Sequence, residues 1–91
     1  MKGVIVIYMG KVIGNVIATR KDTSLVGYKL MVIQRIDSKM QHVGSEEVAA
    51  DYVGAGIGEY VLIGTGSSVR VSKKDVAVDR AIIGIIDTMD V

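Results

Sequence analysis

The chain contains no cysteine, no proline, no phenylalanine and no tryptophan. Without cysteine there is no disulfide framework and no thiolate metal centre. A single histidine, His42, cannot build a histidine-rich metal site, so only carboxylates remain for a hard cation. Strong charge of one sign is also missing. A formal net charge of +1 is too weak to draw nucleic acid or an anionic membrane by long-range attraction. Long hydrophobic runs are missing too, and none approaches the roughly 20 residues of a membrane-spanning helix. Met1-Lys2 followed by Gly3 to Gly10 has a faint signal-peptide outline. Its apolar stretch is short, Lys11 follows at once and no small-residue cleavage site lies near, so it is not read as a leader.

What is present is valine, isoleucine and glycine. Hydrophobic residues make up 49% of the 91 positions, with only four tyrosines as aromatics. β-Branched side chains suit a pleated surface, and 11 glycines supply the turns that proline does not. The expected class is all-β, in one domain. A domain of this size buries only roughly 60–65% of its unfolded surface. With disulfides and thiolate metal sites excluded, oligomerisation is the remaining route to extra stability.

The chain reads as five strands. Val4 to Tyr8 is a short β-branched run, and Gly10 to Thr19 is a longer strand. Period-two alternation puts Val12, Gly14, Val16 and Ala18 on one face of it. Gly10 and Gly14 mark close backbone approach or a bulge. Tyr28 to Ile36 is the next strand, with Leu30, Val32, Gln34 and Ile36 on one face and Lys29, Met31, Ile33 and Arg35 on the other. Asp37 to Gly44 reads as a polar connection. Glu46 to Val53 is read as a strand, despite helix-favouring Glu and Ala, because a glycine-rich turn follows. Glu59 to Ile63 and Asp79 to Asp87 complete the set, with a short helical turn expected over Val69 to Ser72. Five strands in a small all-β chain fit an OB-like barrel.

The chemical motifs are weak. Gly54-Ala55-Gly56-Ile57-Gly58 lacks the third glycine of a dinucleotide fingerprint, where Glu59 stands, and a strand rather than a helix follows. Ser67 and Ser68 have only His42, in a polar connection, as a candidate base. Asp79 with Asp87, or Glu46 with Glu47, are candidate carboxylate pairs, but no apolar pocket is evident to tune either. Arg70 behind Gly66-Ser67-Ser68 is an even choice between a surface arginine and an anion site made with loop N–H and hydroxyl donors.

Three blocks, read together, resemble the EutN/CcmL family of microcompartment vertex proteins. They are MGKVIGNVIATRKD from Met9, continuing through Ser24-Leu25-Val26-Gly27; DYVGAGIGEYVL from Asp51, continuing into Gly66-Ser67-Ser68-Val69-Arg70; and VDRAIIGIID from Val78. The resemblance implies a five-stranded OB-like barrel that forms homopentamers and caps the corners of a polyhedral shell, with hexameric shell proteins as neighbours. It implies a structural role with no catalytic residues, no cofactor and no metal. It places Gly66, Ser67, Ser68 and Arg70 towards a central pore, where small anions are a possible partner. Arg20 and Lys21 are candidates for contact with the shell rim. Met1 to Tyr8 reads as an N-terminal extension relative to the family, with residues 9–91 forming the barrel. Val69 departs from the small alanine common at its position. Neither nucleic acid nor membrane is expected as a partner. Two other classes stand beside this reading: an OB-like binder of single-stranded nucleic acid, and a small-ligand enzyme with its site between subunits.

Overall fold

The computed structural model describes residues 6–18, 27–66 and 80–90. Five strands follow in order: β1 (Val6–Val16), β2 (Leu30–Ile36), β3 (His42–Asp51), β4 (Tyr60–Thr65) and β5 (Arg80–Ile85). They close into a barrel in the order β1-β2-β3-β5-β4, and β4 returns to β1. Every junction is antiparallel except β3 with β5, which is parallel and held by two residue pairs, Ala50↔Ala81 and Asp51↔Ile82. This is the five-stranded, all-β barrel expected from composition. The helical turn expected over residues 69–72 lies outside the described residues.

The first two sequence runs form one strand. β1 pairs with β4 from Val6 to Lys11 and with β2 from Gly10 to Val16, so it serves two edges of the barrel. Gly10 stands at the changeover, and it must be small. A Cβ there would lie 2.4 Å from Ile33 Cγ2 and 3.3 Å from the Gln34 carbonyl oxygen. The register then slips between Val12 and Gly14. This bulge overturns the simple alternation, because one extra residue reverses the facing of everything beyond it. Val12 faces the core and is fully buried, whereas Gly14 lies on the outer face opposite Val32.

A second correction concerns β3, which begins at His42 rather than Glu46 and ends at Asp51. The polar stretch before Glu46 pairs with β2 through a wide irregularity between Gln34 and Ile36. Gly44, at φ 74°, takes the left-handed conformation this bend needs. The buried Gln34 amide donates hydrogen bonds to the carbonyls of Val43 and Gly44 at 3.4 and 3.3 Å. A polar side chain therefore sits inside because it satisfies backbone acceptors there. Ile36, two residues on from Gln34, is buried as well.

The core is formed by Val12, Met31, Ile33, Ala49, Ala55, Val61, Ile63 and Ile82. Each large aliphatic side chain here contributes about 1.5–3 kcal/mol by leaving water. Ala55 belongs to the loop between β3 and β4, not to a strand. The glycine-rich motif thus plugs the barrel. Asp51 Oδ1 accepts from the N–H groups of Val53 and Gly54, which turns the chain out of β3. Gly54 and Gly58 hold φ values of 83° and 94°. Gly58 N–H donates to the Val12 carbonyl at 2.7 Å, and Glu59 Oε1 accepts from Gly56 N–H at 2.6 Å. The run is a structural closure that seats Ala55 in the core.

Candidate functional site

Where β3 splays away from β5, a cleft of about 700 Å³ opens, lined by Arg35, residues 44–48 and Arg80. The charged side chains beside it are tied to one another. Arg80 Nε lies 2.8 Å from Glu47 Oε2, and the Tyr8 hydroxyl donates to the same oxygen. The Arg35 guanidinium stacks over the Tyr8 ring, 4.0 Å from its centre. Tyr8 also packs against the core, so the cluster joins β1, β2, β3 and β5 at one end of the barrel. Burial, then the hydrogen bond to Glu47 and its charge, pushes the Tyr8 phenol up to about 12, with Arg80 opposing. A phenol held that high stays protonated at neutral pH and is not a base. The arrangement braces the narrow β3–β5 junction.

The remaining tyrosines are engaged as well. Tyr28 and Tyr52 pack with ring centres 5.4 Å apart, and the Lys11 ammonium lies 5.6 Å from the centre of the Tyr60 ring. Burial, with a smaller contribution from Tyr28, raises the Tyr52 pKa. Among the described residues no group of three or more His, Asp and Glu side chains is placed to hold a metal ion.

The candidates from the sequence fall as follows. Gly66 follows β4 with φ 85°. Ser67, Ser68, Arg70, Arg20, Lys21 and Asp79 lie outside the described residues. His42 is exposed at the start of β3, and Asp87 is exposed beyond β5. Glu46 and Glu47 both border the cleft, and Glu47 is committed to Arg80 and Tyr8. Sequence reasoning did not find the cluster of Tyr8, Arg35, Glu47 and Arg80. Its members meet only through strand register, and no local pattern announces them.

The outer surface carries apolar side chains too. On one side, Leu62 of β4 lies opposite Met9 of β1 and Gly84 of β5. On another, Val32 of β2 lies opposite Gly14 of β1 and Val48 of β3. Both rows face outward, because their strand neighbours Val61, Ile63, Met31, Ile33 and Ala49 fill the core.

A five-stranded closed barrel of this order has known counterparts. The family model described as "Ethanolamine utilisation protein EutN/carboxysome" matches residues 7–87. This chain belongs to the EutN/CcmL family. It is 47% identical over 85 residues to the bacterial microcompartment shell vertex protein GrpN of Rhodospirillum rubrum, spanning 91% of this chain and 96% of GrpN. It is 42% identical over 85 residues to the carboxysome shell vertex protein CcmL of Synechocystis, spanning 91% of this chain and 85% of that one. The solved structure of the GrpN pentameric microcompartment shell protein from Rhodospirillum rubrum matches with a TM-score of 0.85 at 45% identity, covering 92% of this chain and 98% of that one. The family is one of structural shell proteins, located in compartment shells within the cytoplasm. As its member, this chain is a shell protein of that kind.

Proposed function

We propose that this chain assembles into a closed ring of five that caps the vertices of a polyhedral microcompartment shell, acting as a structural tile and not as an enzyme. The supporting observation is its likeness, over nearly the whole of both chains, to a shell protein described as pentameric. The physical task is geometric. A layer of six-fold tiles stays flat, and five-fold tiles give it corners. A ring of five requires a heterologous contact, in which one patch meets a different patch on the neighbour and the rotation closes.

Around such a ring, Gly66, Ser67, Ser68 and Arg70 face the central pore, and five Arg70 guanidinium groups near one axis repel unless anions neutralise them. Arg20 and Lys21 meet the hexameric tiles at the rim. Glu47, the carboxylate held by Arg80 and Tyr8 beside the cleft, is tied into a structural contact, which argues against its use as a catalytic base. The engaged tyrosine rings also argue against an aromatic platform for single-stranded nucleic acid.

The test is removal of this chain from cells that make the complete shell. Compartments that are elongated or leaky, and that regain closed form when the chain is supplied again, support the reading. Normal, sealed compartments with no other vertex protein present overturn it.

A further inference from the structure

For most of its length β3 is an edge. It pairs with β2 from His42 to Ala50, but it meets β5 only at Ala50↔Ala81 and Asp51↔Ile82. Two hydrogen bonds fix which way its peptide groups turn. Asp51 N–H donates to the Lys29 carbonyl, on the β2 side, and Tyr52 N–H donates to the Ile82 carbonyl of β5. Peptide groups alternate sides along a strand, so Ala50, Val48 and Glu46 turn theirs towards the β5 side. Ala50 has its partner there. The N–H and C=O groups of Val48 and Glu46 meet no strand among the described residues. Such a row is a template for another extended chain.

This open stretch forms one wall of the cleft of about 700 Å³. Alternation turns Glu47 to the same face as buried Ala49, where Arg80 and Tyr8 hold it, and sets Glu46 and Val48 on the outer face. Arg35 of β2 also lines the cleft. Its guanidinium is set in place by stacking on the Tyr8 ring, which uses its flat face and leaves its in-plane N–H donors for an acceptor. Among the described residues no carboxylate lies within ion-pair distance of Arg35. With Glu47 matched to Arg80, the inner face of the cleft is left with one positive charge to be met.

We propose that this cleft binds an extended peptide of a partner protein, which adds to β3 along Glu46–Val48 and directs an acidic side chain to Arg35. In strand addition the main-chain bonds supply affinity, and the side chains on alternate positions supply specificity. Period two lets one guest side chain enter the cleft while its neighbours stand on the outer face. A bare carboxylate would meet Arg35 and leave the strand edge unmet, whereas an acidic peptide satisfies both. The site is built within one chain, so its failure leaves the shell reading intact.

The probe is an end-capped heptapeptide of alternating valine and threonine with a central glutamate, titrated against the full chain by fluorescence anisotropy. It binds saturably, and about tenfold more tightly than the same peptide with central glutamine. Arg35→Gln, checked for a wild-type β spectrum by circular dichroism, removes that preference and retains the weaker binding. Methylating one alternate set of the peptide's backbone nitrogens abolishes binding, and methylating the other set leaves it, the signature of a strand bonded along one side only. Amide exchange at Glu46 and Val48 slows when the peptide is bound. Absence of saturable binding up to millimolar peptide overturns the proposal. So does equal affinity for the glutamate and glutamine peptides, or equal loss from both methylated sets. Acetate that binds as tightly as the peptide shows a small-carboxylate site instead. Glu46 and Val48 amides already fully protected without peptide show an edge covered by the chain itself or by a second copy, which also overturns it.

Discussion

At Gly10 one hydrogen atom in place of a methyl group decides whether β1 can pass from its pairing with β4 to its pairing with β2. Ile33 is fully buried and has nowhere to retreat, so the 2.4 Å approach of an added Cβ cannot be relieved cheaply. Gly10→Ala is expected to cost about 1–3 kcal/mol, the range for overpacking a tight core. Denaturant unfolding at fixed protein concentration measures it, since assembly couples stability to concentration. Gly14→Ala serves as the internal control and should cost less, because a Cβ there meets nothing closer than Val32 at 4.0 Å. Tyr8 supplies a second residue-scale expectation. Its folded pKa lies at about 12, above the ordinary 10.0, so the folded state holds the proton more tightly. The stability linked to this proton is complete below about pH 10 and is lost as pH rises through about 12. The difference in unfolding midpoint between wild type and Tyr8→Phe should therefore shrink across that window. A difference that stays constant would remove Tyr8 as its source.

Among the elements, the loop between β3 and β4 carries the sharpest expectation. Asp51 Oδ1 receives two backbone N–H groups, from Val53 at 3.0 Å and Gly54 at 2.9 Å. Asp51→Ala leaves both without that acceptor and should cost about 1–2 kcal/mol, whereas Asp51→Asn should retain most of the stability. Thermal unfolding of the three proteins checks the order. This loop also shows how far the sequence could be read. Its glycines were legible as a turn because they fail the fingerprint's spacing and precede a strand. That the turn inserts Ala55 into the core was not legible, since nothing local distinguishes that alanine from its neighbours. The five strands were visible from β-branched runs, and Met31 and Ile33 were correctly grouped on one face. The register shifts at Val12/Gly14, opposite Gln34/Ile36 and at Leu62/Ile63 were not visible as positions, because a period-two pattern cannot say where an extra residue is inserted. Hence Gly14 was assigned to the wrong face. The early start of β3 was hidden by its polar composition and by Gly44, whose left-handed φ depends on a partner strand. The cluster of Tyr8, Arg35, Glu47 and Arg80 needs the register of four strands at once, which no single stretch encodes.

For the whole molecule, a small barrel with no disulfide leaves apolar rows on its outside, and the family to which it belongs builds shells from such barrels. The proposed ring covers apolar surface that the single chain leaves exposed, and a five-fold tile gives a flat layer its corners. Family membership was legible from three sequence blocks because their glycines, Asp51 and the core aliphatics are the residues that fix the barrel. Native mass spectrometry of the purified wild-type chain at micromolar concentration tests the central claim most directly. Five chains of 9.7 kDa give a single species of about 48 kDa, and that mass is the predicted result. A stable monomer, or a dimer that grows no further with concentration, would contradict the account.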